Sequence, residues 1–493
     1  QEPASSGNGA APDVRATRIA ATVDGNLWNE SAQARALTRG DVSEFSWRVR
    51  WSDLAEGRST PQPRPTGYSV RWYATTLNLG QGVVHDAADA PQGDLRPNFL
   101  SRIQPYAVYV PTTYDPKRAW PLTWVLHSLG VNHNQYAATA PRMQQQECED
   151  RRSICATILG FGPDGWYFDE AEVDFWQVWH QLALAYRLDP DRTVISGYSM
   201  GGYGSYKLGL EYPDLFAKAM PLAGPPACGA RIVGPVQGPA VETGSCAADG
   251  DTTPLVPNAR WMPYVIADGA VDELVPITGV LQQVQAFTAA GNRYRFHFYP
   301  AEDHMVYAIQ DGFSTVIADL GRDRRITNPA RITYAWYPNL NRSDFGIGPT
   351  GAYWIRDLRG RDASPGAVAS LDALSEGLPN PPVRPVREVS AEVLANPTPD
   401  VVITQRWVVG DAPAPRQALT LDLTNVGALR VDLRRAAITS GMVKVNTDGD
   451  TTLRLSGLRP GTSISWTGGG TTVGPNGVAA ISLQNGLSLL RIG

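Results

Sequence analysis

Lysine is nearly absent from this chain: four among 493 residues, at 117, 207, 218 and 444. Arginine supplies the other positive charges, and the net charge is −5. That balance leaves no basic surface of the kind that holds nucleic acid or an anionic membrane, so neither is expected as a partner. No apolar run approaches the roughly twenty residues a membrane-spanning helix needs. Only six histidines and four cysteines are present, with no Cys-x-x-Cys spacing and no histidine beside a cysteine. A thiolate metal site is thereby excluded, and neither a metal nor a cofactor is expected. The remaining composition, 43% hydrophobic and 18% charged, is that of a folded globular protein. Its length exceeds one ordinary core, so several domains are expected, and nothing in the composition bears on oligomeric state.

The four cysteines form two near pairs, Cys148 with Cys155 and Cys228 with Cys246. Two local disulfides suit an oxidising compartment and make the chain read as secreted; four cysteines nevertheless allow three connectivities, and the sequence does not choose among them. Residues 1–13 are polar, with no charged-then-apolar targeting pattern. They read as a flexible N-terminus, either of a protein never exported or of a mature form.

Three patterns follow along the chain. Residues 14–100 hold alternating strand-like runs such as Phe45–Trp51 and Tyr68–Tyr73, separated by a Pro-rich loop, and read as a small N-terminal antiparallel β domain. From 101 to 325 the runs become short and nearly continuously apolar (Tyr106–Val110, Leu122–Leu126, Ile154–Leu159, Thr193–Ser196, Ala219–Ala223, Tyr264–Ala267, Tyr294–Tyr299), with helix-length segments between them. Continuous runs suit strands buried on both faces, so this region reads as a doubly wound, mostly parallel α/β sheet. In Glu172–Arg187 the aromatics Phe175, Trp176, Trp179 and Tyr186 recur at helical spacing and are assigned to packing on that sheet. Residues 326–386 read as a β extension and Pro-rich linker, and 387–493 as a C-terminal β-sandwich. The turn Asp448-Gly449-Asp450 reads as a hairpin rather than a calcium loop.

One short segment carries chemistry. Gly197-Tyr198-Ser199-Met200-Gly201-Gly202 lies between the strand-like Thr193–Ser196 and a helix-competent run ended by Pro213. Strand, Gly-x-Ser-x-Gly, helix is the context of a nucleophile elbow, in which a strained turn lifts the serine hydroxyl clear of the sheet. A serine hydroxyl needs a base to take its proton and an acid to orient that base. His304 alone among the histidines lies in a loop after a strand and downstream of both Ser199 and an acid. His297 falls inside a strand, where it packs or hydrogen-bonds. Asp272 and Asp268 both follow the Tyr264–Ala267 run, and Asp272 is favoured because it lies deeper in the loop. Acyl transfer also needs donors for the developing oxyanion. These are expected from the Met200 amide and from the turn after Leu122–Leu126, where Ser128 and Leu129 are the candidates and Leu129 is preferred. His127 is then a brace and takes no part in proton transfer.

Together, Leu126-His127-Ser128-Leu129-Gly130, Asp189-Pro190-Asp191-Arg192, Gly197–Gly204, Asp272-Glu273-Leu274-Val275-Pro276 and Asp303-His304 resemble secreted α/β-hydrolases. The resemblance is to the esterase and prolyl-oligopeptidase-like group, which includes polyhydroxyalkanoate-depolymerase-like and feruloyl-esterase-like enzymes. It covers about 101–325, and because some members carry an N-terminal immunoglobulin-like domain it implies that character for 14–100. It implies a triad of Ser199, Asp272 and His304 and an oxyanion hole of Leu129 and Met200. Ser128 departs from the glycine usual after that histidine, which touches the shape of the oxyanion loop.

The expected substrate is a carboxylic ester, aryl or polymeric, cleaved through an acyl-enzyme on Ser199. A peptide is the alternative, because the triad serves both. A peptidase of this type needs a group to grip a terminal amine, and only Glu170 and Glu172 lie near enough to serve. Trp166, Tyr167, Tyr198 and Ser128 are candidate substrate contacts, with packing as the competing reading for the aromatics. The Gly- and Pro-rich connection 224–257 reads equally as a binding wall or as a stiffened surface loop.

Overall fold

The structure is a computed structural model, and it describes the backbone at 13–15, 46–48, 83–85 and 97–98, Ser52, and residues 66–80, 99–228, 248–305, 314–392 and 400–493. Ten strands form one sheet. In chain order they are β1 (Gly67–Ala74), β2 (Ile103–Val110), β3 (Trp120–Leu126), β4 (Ile154–Ile158), β5 (Leu188–Tyr198), β6 (Lys218–Leu222), β7 (Tyr264–Gly269), β8 (Tyr294–Tyr299), β9 (Val383–Glu392) and β10 (Asp400–Val409). Their spatial order is β9-β10-β8-β7-β6-β5-β3-β4-β2-β1. From β4 to β8 all neighbours are parallel. The strands at either margin, β1 and β2 on one side and β9 and β10 on the other, run antiparallel to their neighbours.

Every residue of β4, β6 and β7 is buried, which is why their sequences read as unbroken apolar runs instead of alternating ones. Three helices, α1 (Asp169–Ala185), α2 (Met200–Glu211) and α3 (Ile277–Ala289), lie between consecutive parallel strands. Helix α1 begins with Asp169, Glu170 and Glu172, which complement the positive end of its dipole. Its aromatics are core, as expected: Phe175 packs 4.4 Å and Trp179 5.7 Å, centroid to centroid, from Trp124 of β3.

The expected domain limits need correction at both ends. The division at residue 100 is too late, because β1 pairs with β2 over all eight positions and belongs to the central sheet. The alternation in Tyr68–Tyr73 identifies a strand, but a period of two cannot say which sheet receives it. Of the rest of 14–100, strand pairs join 13–15 to 46–48 and 83–85 to 97–99, and most of the expected immunoglobulin-like domain lies outside the described residues.

At the other end, the sandwich begins with Arg331–Trp336 and not at 387. Its two sheets, of seven and four strands, enclose Ile332, Trp336, Trp354, Leu371, Leu421, Val443, Leu453 and Ile481. Between its strands the chain leaves as β9 and β10, which pair antiparallel and extend the central sheet, with Val402 opposite His297 and Ile403 opposite Phe296. The Pro-rich stretch read as a linker is therefore partly strand. Pro385 sits on the outermost strand, where a missing amide is tolerated and discourages edge-to-edge pairing. The Asp448 turn is not a hairpin either: it carries the chain from one sheet to the other. There the Asp448 carboxylate pairs with Arg361 and accepts the Asn425 amide at 3.0 Å.

Candidate active site

The turns leaving the carboxyl ends of β3, β5 and β7, together with the loop after β8, meet at one edge of the sheet. Ser199 follows β5 directly at φ 58° and ψ −120°, a conformation L-residues seldom adopt. Its neighbours make that turn possible. A Cβ on Gly201 would stand 1.9 Å from the Leu126 carbonyl oxygen, and one on Gly197 would stand 2.4 Å from the Gly201 carbonyl oxygen. Neither position admits any other residue. The Ser199 amide donates to Leu222 O at 2.8 Å, and its carbonyl accepts from Tyr203 N at 3.0 Å, which starts α2.

His304 places Nε2 3.0 Å from Ser199 Oγ and Nδ1 2.7 Å from Asp272 Oδ2. The other oxygen of Asp272 accepts the amides of Leu274 (2.9 Å) and Val275 (2.6 Å), which fixes the carboxylate plane. Asp272 and His304 are buried and Ser199 is half-buried. The two loops are stitched together: Ala270 N donates to Tyr299 O at 2.9 Å, Val271 N to Glu302 O at 3.1 Å, and His304 N to Glu273 Oε2 at 3.3 Å. Asp268, the other acid considered, is buried at the end of β7 and accepts the Gly269 amide at 2.8 Å. Asp272, not Asp268, meets the imidazole. The arrangement can move a proton from the serine hydroxyl to an oriented imidazole.

The turn after β3 is held from several directions. His127 sits between the carbonyls of Ser128 (2.8 Å) and Leu159 (3.0 Å), so it braces the loop as expected. Burial pushes its pKa down. Tyr167 donates to His127 O at 2.8 Å, and Gly130 N donates to Pro163 O at 3.0 Å. Ser128 corrects its assignment as a substrate contact. Its amide donates to Gln135 Oε1 at 2.7 Å, and its hydroxyl donates to Tyr198 O at 2.9 Å while accepting from Gln135 Nε2 at 2.8 Å. A glycine could not make the hydroxyl bonds, so the serine ties the oxyanion loop to the strand bearing the nucleophile. With the Ser128 amide occupied, Leu129 N is the donor left without a protein acceptor among the described residues. Met200 N, the first amide of α2, has none within its helix.

The other aromatic candidates also turn inward. Tyr167 is 1% exposed and presses against α2 at Gly204, and Trp166 is buried edge-on to Tyr203 with ring centroids 5.3 Å apart. Tyr198 is buried and its hydroxyl donates to the His304 carbonyl, so it fixes the histidine loop. All three are packing residues. Gln135 was not anticipated; a polar side chain on a five-residue helix carries no sequence signal of its own.

Three further expectations concern groups around the site. Glu172 is spent: it pairs with Lys207 Nζ at 2.7 Å inside a buried cluster with Glu211 and Tyr212. His297 lies within β8 between Asp400 and Asp319, each 2.7 Å away. Burial alone would lower its pKa, but the two carboxylates outweigh burial and raise it. Cys148 and Cys155 form a disulfide, and Cys228 is disulfide-bonded. Cys246, like residues 229–247 of the connection read as a binding wall or surface loop, lies outside the described residues.

Residues 100–310 match the Esterase family, described as "Putative esterase". The catalytic region is an α/β-hydrolase of the esterase group. As such it is a serine ester hydrolase, with Ser199 on the elbow. No curated protein matches the chain. Among solved structures, a ferulic acid esterase is 18% identical over 52% of this chain and 98% of its own, with a TM-score of 0.38. The fluorophosphonate-binding serine hydrolase F of Staphylococcus aureus is 18% identical over 52% and 99%, with a TM-score of 0.37. An S-formylglutathione hydrolase from Agrobacterium tumefaciens is 17% identical over 51% and 92%, with a TM-score of 0.37. Among the described residues of the esterase and its flanking strands, no helix is long and apolar enough to cross a membrane.

Proposed function

We propose that the protein is a secreted esterase whose catalytic triad is Ser199, His304 and Asp272. The observation that carries this reading is the unbroken chain from Ser199 Oγ through His304 to Asp272. Ser199 Oγ attacks the carbonyl carbon while His304 Nε2 takes its proton. The oxyanion that forms is received by the amides of Leu129 and Met200. His304 then returns the proton to the departing alcohol, leaving an acyl group on Ser199. A water activated by the same nitrogen attacks the acyl carbon and releases the acid. Asp272 orients the imidazole and stabilises the imidazolium through both transfers.

The family match supports an ester as the substrate. Glu172 cannot grip a peptide amine while it is buried against Lys207, which favours the ester over the peptide. Aryl esters and polyesters are the esters proposed, and the disulfide-bonded cysteines support export to an oxidising compartment. Matched p-nitrophenyl esters and p-nitroanilide peptides test the reading, with Ser199→Ala as the control. Ester turnover that vanishes in the variant is the expected result. Dominant anilide cleavage, or turnover that survives Ser199→Ala, overturns it.

A further inference from the structure

Asp268 stands next to the triad in a setting that an ionised carboxylate does not tolerate. It closes β7 and is fully buried. One oxygen accepts the Gly269 amide at 2.8 Å. The other, Oδ2, is buried and receives no donor from any described residue. Asp272, itself an acceptor, stands four residues on in the same turn, its amide donating to Gly269 O at 3.4 Å. Two buried carboxylates crowded into one turn repel unless one of them carries a hydrogen.

We propose that Asp268 is a positioning residue for the triad: it is held protonated and donates its carboxyl hydrogen to the Asp272 carboxylate. The inference rests on the triad reading above. It explains the orphan oxygen, which is a donor and needs none. It also completes Asp272, whose carboxylate offers about four lone-pair sites. Leu274 N, Val275 N and His304 Nδ1 occupy three of them, and Asp268 fills the fourth.

The surroundings agree. Burial raises the Asp268 pKa well above the usual carboxylate range, and the Asp272 charge raises it further. Among the groups on which Asp268 acts are the phenols of Tyr198 and Tyr206, which burial keeps neutral. No cation counters its charge among the groups acting on it. Two adjacent carboxyls thus hold unlike protonation states, the outer one serving the inner as a fixed donor.

Asp268→Asn and Asp268→Leu decide the matter in the full-length protein. Asparagine keeps the shape and an N–H donor and cannot ionise; leucine keeps the bulk and removes the donor. Asn is expected to stay within about threefold of the parent in kcat. Leu is expected to lose roughly tenfold in kcat with KM unchanged, the loss of one hydrogen bond to a charged group. A readout independent of turnover is the downfield proton resonance of His304 Nδ1–H, expected at the parental position in Asn and displaced in Leu. An Asn variant as impaired as Leu overturns the proposal, because the need is then for a negative charge. A Leu variant with parental kcat and an unmoved resonance also overturns it. Should Leu not fold, Asn alone decides, since an ionised or proton-accepting Asp268 cannot survive that change. Ester turnover persisting in Ser199→Ala would instead defeat the triad reading, while the resonance still reports on this contact.

Discussion

The esterase sheet and the C-terminal sandwich bury opposite kinds of residue. In the sandwich the buried polar side chains among the described residues are Ser375, Thr447 and Thr451, none of them charged. The esterase region buries Glu147, Glu172, Asp174, Lys207, Glu211, Asp268, Asp272, His297 and His304. A buried charge costs several kcal/mol unless it is paired, so a domain selected for stability alone would carry few. The sandwich is that domain. Its strands alternate buried and less buried positions, as in Ala369–Ser375 and Thr451–Ser456, and its core is largely aliphatic with four large aromatics, Tyr334, Trp336, Tyr353 and Trp354. Most of these esterase side chains are held by partners, although Glu147 Oε1, Glu211 Oε1 and Asp268 Oδ2 receive no donor from a described residue. Asp272 and His304, beside Ser199, are held in a geometry that chemistry uses. Apolar packing supplies rigidity in one region; in the other, hydrogen-bonded charge supplies both reactivity and rigidity.

The sharpest way to probe the contrast is to remove the nucleophile. Ser199→Ala is expected to lower ester turnover by a factor on the order of 10⁴–10⁶, with circular dichroism and melting unchanged. Unfolding of that variant would show that the elbow serine is structural. The mirror experiment is Leu453→Ala in the sandwich, which should cost about 2–5 kcal/mol in denaturant unfolding with kcat unchanged in the folded fraction. A drop in kcat would mean that the two regions are coupled more tightly than their separate cores suggest.

Cys148 and Cys155 close a short loop with a separation of seven residues, so replacing both with alanine should cost only about 2–3 kcal/mol. The smallest effect is expected at Glu147, which accepts a hydrogen bond from Ser196 Oγ at 2.8 Å while burial raises its pKa to about 7. Its folded value lies above its unfolded one, so its contribution is fully present below about pH 4 and is lost as pH rises through about 7. Glu147→Gln should therefore raise stability by about 1–3 kcal/mol at pH 8 and leave it unchanged at pH 4. Denaturant curves at the two pH values check the sign; an equal shift at both would show that charge is not the cause.

Residue type and spacing were enough for the centre of the molecule. Parallel strands buried on both faces are largely apolar, so β4, β6 and β7 were visible as runs, and β8 as an aromatic run carrying Arg295 and His297. Gly197 and Gly201 announced the elbow because backbone meets backbone there. With only six histidines, chain order isolated His304, and depth in the loop favoured Asp272 over Asp268. Three matters were settled by the tertiary structure alone. The first is which sheet receives a strand: β1, β9 and β10 read as parts of flanking domains, because alternation records that one face is buried and not against what. The second is where an aromatic points: Trp166, Tyr167 and Tyr198 sit beside the motif in sequence, yet packing turns them inward to brace it. The third is the pairing of polar groups distant in the chain, as when Ser128 Oγ bonds the Tyr198 carbonyl 70 residues on and the Tyr198 hydroxyl reaches the His304 carbonyl. Such bonds depend on distances of a few ångströms between elements, and no local pattern encodes those.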